Sequence, residues 1–562
     1  MQLTGAQIIL ECLKEQGVDT IFGFPGGTIL PVYDALYQCA EIDHFLTCHE
    51  QHAAHAADGY ARATGKPGIV FATSGPGSTN LVTGIATAYM DSVPIVAITA
   101  NVVKANLGKD SFQEVDITGI TTPITKHNMI VKEIDDLADA IREAFFIATS
   151  GRPGPVLIDV PKDITTMVGE YRRRPLMAPD RCNDFWPSEL EEAAKIANSA
   201  ERPFIIAGGG IIAAGAEKEL QTLADTLGAP VATTLMGIGG YPESSEKYTG
   251  MIGMHGSKTS AQCVLNSDVI IAVGMRFADR VISNRNKFAP QARIIHIDVD
   301  PAEINKNIPA GAEIVGNAKD VLVQWQPRLE KKDRSAWLEQ VRAWKKEFPI
   351  DRPAKNARYP KKVLETLQRY APADTIFTTE VGQHQMWAAQ FLEINEPRKL
   401  LTSGGLGTMG FGLGAAIGAA VGTGKPVVNI AGDGSFMMNL QELRTAVKYN
   451  LPVTVLIMDN HVLGMVRQWQ TLFYDKRYSE TTLDAEPDYV QLAAAFGARG
   501  YHVKDESELE ETMKKAFSEG SGPAIIACDI HEDESVLPMI PGGAGFDEII
   551  IDLEEDKQEA GT

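Results

Sequence analysis

"KPVVNIAGDGSFMMNLQELRTAVKYNLPVTVLIMDN", residues 425–460, reads as strand, glycine turn, helix and strand. Val427, Val428 and Ile430 form the apolar run of a buried strand. Gly432-Asp433-Gly434 breaks it, and Phe436-Met437-Met438 opens a helix expected over residues 436–447. The second strand, "VTVLIMDN", ends at Asn460. Strand, crossover helix and parallel strand make a βαβ unit. A carboxylate, Asp433, stands between two glycines at the end of the first strand. A turn accepts Asp and Gly for backbone reasons alone. Ligands of open α/β sheets, however, gather at the carboxyl ends of strands.

A second stretch bears on that choice. "KPGIVFATSGPGSTNLVTGIATAYMDSVPIVAITAN", residues 66–101, has the same length. Aligned without gaps, the two share Lys, Pro, Ala, Gly, Asn-Leu and a final Asn, so they read as duplicated domains. Ser74 stands where the other copy has Asp433. A turn needs no such difference, and the asymmetry favours chemistry at Asp433.

Strand–turn–helix units with Gly-rich turns recur outward from these copies. The fold class expected is α/β: three domains with mainly parallel sheets flanked by helices. The first block covers residues 1–165, with a Thr4–Gln7 capping box opening its first helix. An Arg- and Pro-rich linker follows over 166–190. The central block covers 190–330, a charged surface helix and linker 328–358, and the third block 360–540. The tail 541–562 has no obvious core of its own beyond "EIIIDL".

Composition excludes several function classes. The net charge is −21, with no basic stripe, which disfavours a nucleic-acid partner. No run reaches the length of a membrane span, and the start, with Glu11, Lys14 and Glu15, does not resemble a signal peptide. None of the six cysteines forms a CxxC pair, so a cytoplasmic enzyme with free, mostly buried thiols is expected.

Asp433 and Asn460 end adjacent parallel strands, so a carboxylate and an amide oxygen can converge on one hard cation. Magnesium prefers oxygen ligands and completes its shell with phosphates. Backbone N–H groups at the start of the 436–447 helix are placed to meet a diphosphate.

"GDGSF…DN" resembles the thiamin-diphosphate-binding motif. "GFPGGTILPVYDAL", "CHEQHAAHAADGYARATGKPG", "SFQEVDITGITTPITKHN", "SGRPGPVLIDVPKD", "TSGGLGTMGFGLGAAIG" and "GMVRQWQTLFYDKRYS" resemble the catalytic large subunit of the acetohydroxyacid (acetolactate) synthase family, over residues 1 to about 545. The resemblance implies pyrimidine-binding, central FAD-binding and diphosphate-binding domains in that order. It implies that Glu50 promotes the imino form of the cofactor's aminopyrimidine. Asp433, Asn460 and the carbonyl of Val462 are implied as Mg²⁺ ligands. Gln383 and His384 are implied at the diphosphate, together with Gly432, Gly434 and Ser435 of the motif. Met409 is implied as the apolar prop of the bent cofactor, with Met465 also beside it. Gly27, Phe112, Gln113 and Lys162 are implied near the reacting carbon, and Trp469 as the residue that favours 2-ketobutyrate over pyruvate. His49, His52 and His55 are read as helix residues only.

In the central block the Gly-rich turn "IAGGGIIAAG" carries Gly208 and Gly209. With Arg152, Met254, His255, Arg276, Arg280 and Asp298 they match the family's FAD contacts. Ala278 and Asn317 depart from the pattern, since Asp is common at both. The activity implied is decarboxylation of pyruvate and ligation of the two-carbon unit to pyruvate or 2-ketobutyrate. The products are 2-acetolactate and 2-aceto-2-hydroxybutyrate, in branched-chain amino-acid biosynthesis. FAD-independent fermentative acetolactate synthase and flavin-dependent pyruvate oxidase are the alternatives. A homodimer or homotetramer with a small regulatory subunit is implied.

Overall fold

The computed structural model describes residues 1–349, 358–485 and 487–552. Three six-stranded sheets, each wholly parallel, account for the architecture. Their inner strands, such as Ile95–Asn101, Val269–Val273 and Val453–Asp459, are buried on both faces, as parallel sheets covered by helices require. Parts of the 328–358 linker and the end of the tail lie outside the described residues.

The first sheet holds Thr20–Phe24, Asp43–Leu46, Gly68–Ala72, Ile95–Asn101, His127–Ile130 and Val156–Pro161. They pair in the order second, first, third, fourth, sixth, fifth. The third sheet holds Ile376–Thr379, Leu400–Leu401, Val427–Gly432, Val453–Asp459, Arg499–Val503 and Ala524–Asp529, in that same order. The two stretches aligned in the sequence thus occupy equivalent strands of two sheets with one topology. The central sheet differs. Pro203–Ala207, Val231–Thr233, Tyr248–Met251, Val269–Val273, Arg293–Asp298 and Ala312–Val315 run third, second, first, fourth, fifth, sixth. That is the order of dinucleotide-binding sheets. In each sheet the chain leaves two neighbouring strands in opposite directions, and the crevice at their carboxyl ends is the place for a ligand.

The first and third sheets are joined through two helices, Glu50–Thr64 and Gly412–Thr423. The second carries glycines at 414, 418 and 422, one per helical turn, facing His52 and His55, then Ala56, then Tyr60 and Thr64. A Cβ at Gly418 would overlap the carbonyl oxygen of Ala56. Only glycine permits that approach, so Gly418→Val is expected to cost at least the ~1–3 kcal/mol typical of overpacking. A chemical-unfolding midpoint equal to that of the parent would contradict the close packing.

Several local expectations need correction. The helix expected over 436–447 is three short pieces: Asp433–Phe436, a 3₁₀ turn at Leu440–Glu442, and Leu443–Lys448. Asn439 breaks the run, its backbone outside the helical region and its Nδ2 bonded to Glu380 Oε1 at 2.5 Å. Within the 166–190 linker, Val168–Glu170 pairs antiparallel with Gln2–Thr4. The tail has more packing than its composition promises. Ile540, Phe546 and Ile549 bury against the central sheet's outer layer with Trp337 and Val341. All six cysteines are free, but only Cys12, Cys263 and Cys528 are buried. The Thr4–Gln7 capping box is present and opens Gly5–Glu15. No helix among the described residues is long and apolar enough to cross a membrane.

Candidate active site

At the third sheet the crevice lies between the ends of Ile376–Thr379 and Val427–Gly432. Asp433 follows the second of these, buried at 2% exposure, as the first residue of a helical turn capped by Gly432. Its Oδ1 accepts from the Gly434 N–H at 2.9 Å. Ligand atoms of Asp433, Asp459 and His461 lie within 4.8 Å of one another, the one such group among the described residues. Burial pushes the Asp459 carboxyl, which lies beside that of Asp433, above its ordinary value. Sequence reasoning named neither Asp459 nor His461; the only local signal was Asp459 standing next to Asn460.

Asn460 turns its amide to Gln383, Nδ2 donating to Oε1 at 3.4 Å, while its Oδ1 accepts from the Val462 N–H at 3.3 Å. Val462 is buried and bridges to Thr482. Gln383 Nε2 donates to Gln468 Oε1 at 3.0 Å and to the Glu534 carbonyl at 2.8 Å. Gly432 and Gly464 leave the room that these side chains take: a Cβ at Gly432 would lie 2.8 Å from His384 Nδ1, and one at Gly464 would collide with Gln383 Oε1. Burial lowers His384 to about 3, so its ring is neutral, and its buried Nε2 has no partner in the chain. Ser435 Oγ donates to Glu380 Oε2 at 3.0 Å and accepts from the Gly410 N–H at 3.3 Å. That bond ties the loop bearing half-buried Met409 to the Asp433 turn. Carboxylates, an amide, a carbonyl and a buried ring nitrogen around one glycine-lined crevice suit a hard divalent cation carrying phosphate groups.

In the first domain the position equivalent to Asp433 is Ser74, which brings a hydroxyl and no carboxylate. Thr28 Oγ1 donates to Ser74 Oγ at 3.1 Å and meets Thr73 Oγ1 at 2.9 Å. Hydroxyls close the place that Asp433 occupies in the other copy. Around it Lys162 Nζ donates to the Gly27 carbonyl at 3.0 Å, and a Cβ at Gly27 would meet open space. Gln113, at positive φ, packs on Gly75. Phe112 is 87% exposed. Glu50, 8% exposed, accepts from Asn80 Nδ2 at 2.9 Å.

The comparisons with known proteins agree along the chain. Residues 3–120 match the thiamine pyrophosphate enzyme N-terminal TPP binding domain. Residues 190–325 match the central domain of the same family, and 380–528 its C-terminal TPP binding domain. The chain is 46% identical to the probable acetolactate synthase large subunit of Methanocaldococcus jannaschii, over 98% of this chain and 95% of that one. It is 44% identical to the acetolactate synthase isozyme 2 large subunit of Escherichia coli, over 98% and 99%. The chain belongs to the acetolactate synthase family of thiamine pyrophosphate enzymes.

In this member of the family, a cavity of about 840 Å³ opens at the central sheet's crevice and reaches both other domains. Arg152, Gly209, Met254, His255, Arg276, Arg280 and Asp298 all line it. Gly208 lies beneath, where a Cβ would overlap the Gly274 carbonyl. Burial raises Asp298 to about 6 and lowers His255 to about 4. Arg152 is held by Ser92, Asp300 and Glu303 at 2.8, 3.1 and 2.9 Å. Two residues depart from the family pattern. Ala278 lines the cavity without filling it. Asn317 caps Ala318–Trp325 through its side-chain oxygen, as an Asp would. The buried Nδ1 of His255 and Nε1 of Trp469 have no partner in the chain. A glycine-floored cavity with arginines and unmet polar atoms fits a dinucleotide.

Met465 and Trp469 stand on Gly464–Phe473, which starts just past Asn460, and both face that cavity. The Arg280 guanidinium lies 5.9 Å from the Trp469 ring centre. Trp469 packs on the cluster of Met254, Leu537 and Met539. The central domain, the third domain and the returning C-terminal segment therefore meet at this indole.

Proposed function

We propose that this chain catalyses acetolactate synthesis with thiamin diphosphate, Mg²⁺ and FAD, at a site completed by a second copy of itself. It removes CO₂ from pyruvate and ligates the remaining two-carbon unit to a second pyruvate or to 2-ketobutyrate. Thiamin diphosphate, when bound, supplies the carbon nucleophile and the electron sink that this decarboxylation needs. Asp433, Asn460 and the Val462 carbonyl hold the cation, and Gly434, Ser435, Gln383 and His384 hold the diphosphate. Met409 and Met465 shape the apolar wall beside the cofactor. Glu50 stabilises the aminopyrimidine form that accepts the thiazolium proton. Gly27 leaves space for the ketoacid, with Phe112, Gln113 and Lys162 around it.

One observation supports the second copy: Phe112 is 87% exposed on a single chain. A homodimer or homotetramer in the cytoplasm follows, and relatives named large subunits argue for a small regulatory partner. FAD occupies the central cavity in this reading, and no redox step is asked of it. The observation that carries the reading is whole-length likeness to named acetolactate synthases, joined to an intact Glu50, Asp433 and Asn460.

Trp469 tests the substrate side. Pyruvate and 2-ketobutyrate differ by one methylene, which an apolar pocket discriminates by about 10–200-fold, or ~1–3 kcal/mol. With both acids competing, the parent is expected to favour the 2-ketobutyrate product, and Trp469→Leu to lose most of that preference while still coupling pyruvate to itself. An unchanged product ratio would make Trp469 a packing residue only.

A further inference from the structure

We propose that Glu442, a buried carboxylate of the third domain, is a positioning residue for Glu50 of the first, because it holds the backbone from which the Glu50 helix starts. The proposal rests on the reading of Glu50 given above. Glu442 is fully buried, at 0% exposure, in the 3₁₀ turn Leu440–Glu442. Its Oε1 and Oε2 accept from the Cys48 N–H at 2.9 and 3.2 Å. The His49 N–H lies beside it as well. Thr445 Oγ1 donates to Oε2 at 2.7 Å and fixes the carboxylate. Alongside, Cys48 Sγ donates to the Gln441 carbonyl at 3.2 Å, and the Leu46 N–H donates to Tyr449 Oη at 2.8 Å. The whole approach to Glu50, from Leu46 to His49, is thus tied to one edge of the other domain.

The helix does not need Glu442 in order to form. His49 Nδ1 already caps it by accepting from the Gln51 N–H at 3.1 Å, and the glycine stripe of Gly412–Thr423 packs along its length. What Glu442 adds is the location of the first turn. Burial raises the Glu442 carboxyl to about 7, and its two oxygens anchor the backbone two residues before Glu50. The equivalent helix of the third domain is held in the same manner. Glu380, also fully buried, accepts from the Gly410 and Leu413 N–H groups at 2.8 and 3.0 Å. Each of the paired helices therefore begins on a buried carboxylate, but only at Glu442 does that carboxylate come from the opposite domain. The Asp433 turn runs on to Glu442 within ten residues, so placement of the metal-binding segment also sets placement of Glu50.

The test compares Glu442→Ala, Glu442→Gln and Glu50→Gln in the protein loaded with thiamin diphosphate and Mg²⁺. The readouts are deuterium exchange at thiazolium C2, kcat and KM for pyruvate, cofactor retained after gel filtration, and the unfolding midpoint. Displacement of a reacting group by about 1 Å costs on the order of 100-fold. Glu442→Ala is expected to slow exchange and kcat by about 10- to 100-fold, with KM and cofactor retention close to parental. Glu442→Gln keeps one acceptor for Cys48 and should fall between. Parental exchange in Glu442→Ala, beside slow exchange in Glu50→Gln, overturns this proposal alone. Parental exchange in Glu50→Gln overturns the reading of Glu50 and the proposal with it. Loss of cofactor in step with a lowered unfolding midpoint assigns Glu442 a structural role and also overturns it. Should Glu442→Ala fail to fold, Glu442→Gln and Thr445→Val, which frees the carboxylate, decide by the same readouts.

Discussion

Asp433→Ala is expected to give a folded chain that no longer retains thiamin diphosphate. Asp433 ends a strand that is hydrogen-bonded on both sides, to Ile376–Thr379 and to Val453–Asp459. Its side chain accepts from the Gly434 N–H and faces Asp459 and His461, outside the strand ladder. The fold should therefore survive. The cation site should not, because Asn460 and the Val462 carbonyl offer only neutral oxygens. Asp459, the nearest replacement, is pushed by burial toward its neutral form. Loss of a partner outside the direct ligand shell typically costs about 10–100-fold in metal affinity. Loss of a charged direct ligand should exceed that, with thiamin diphosphate affinity falling by more than about 100-fold. The quantity to measure is cofactor bound per chain after gel filtration in Mg²⁺, beside a circular-dichroism spectrum of the same sample. Tight retention by the folded variant would remove Asp433 from the site and return it to the role of a turn residue.

Glu50→Gln has the second large effect, and of a different kind. The glutamine carbonyl still accepts from Asn80, so the helix start and the cofactor pocket keep their shape. What disappears is the negative charge that favours the basic form of the pyrimidine. Positioned proton transfer is worth about 10²–10⁴-fold, and C2 exchange should slow by that factor while thiamin diphosphate and Mg²⁺ still bind. Exchange at the parental rate would take Glu50 out of the mechanism. The two variants separate the halves of the site: one loses the cofactor, the other keeps it inert.

The features legible in the sequence were those written in short-range pattern. Gapless alignment of residues 66–101 on 425–460 identified a duplication, and the first and third sheets share one strand order. Apolar runs ending in glycine placed Gly208 and Asp433 at strand ends, and the apolar run closed by Asp459-Asn460 placed Asn460 at another. Features that depend on packing between distant segments were not legible. Asp459 and His461 come to Asp433 only once adjacent strands are in register. The ion group of Arg62 with Asp58 and Asp91, which also takes the Gly404 and Gly405 N–H groups onto Asp91, joins two stretches of the first domain to a third more than 300 residues away. The broken helix after Asp433 was missed for a related reason. Helical periodicity continues through Met437 and Met438, and it is the distant, buried Glu380 that draws Asn439 out of it.

The central claim is that this chain makes a carbon–carbon bond from two molecules of 2-ketoacid. The most direct test follows carbon from ¹³C-labelled pyruvate as sole substrate, with thiamin diphosphate, Mg²⁺ and FAD present. Acetolactate synthesis predicts one labelled 2-acetolactate and one CO₂ for every two pyruvates consumed, with no demand for an electron acceptor. Labelled acetate, with one CO₂ released per pyruvate and consumption of oxygen, would contradict it.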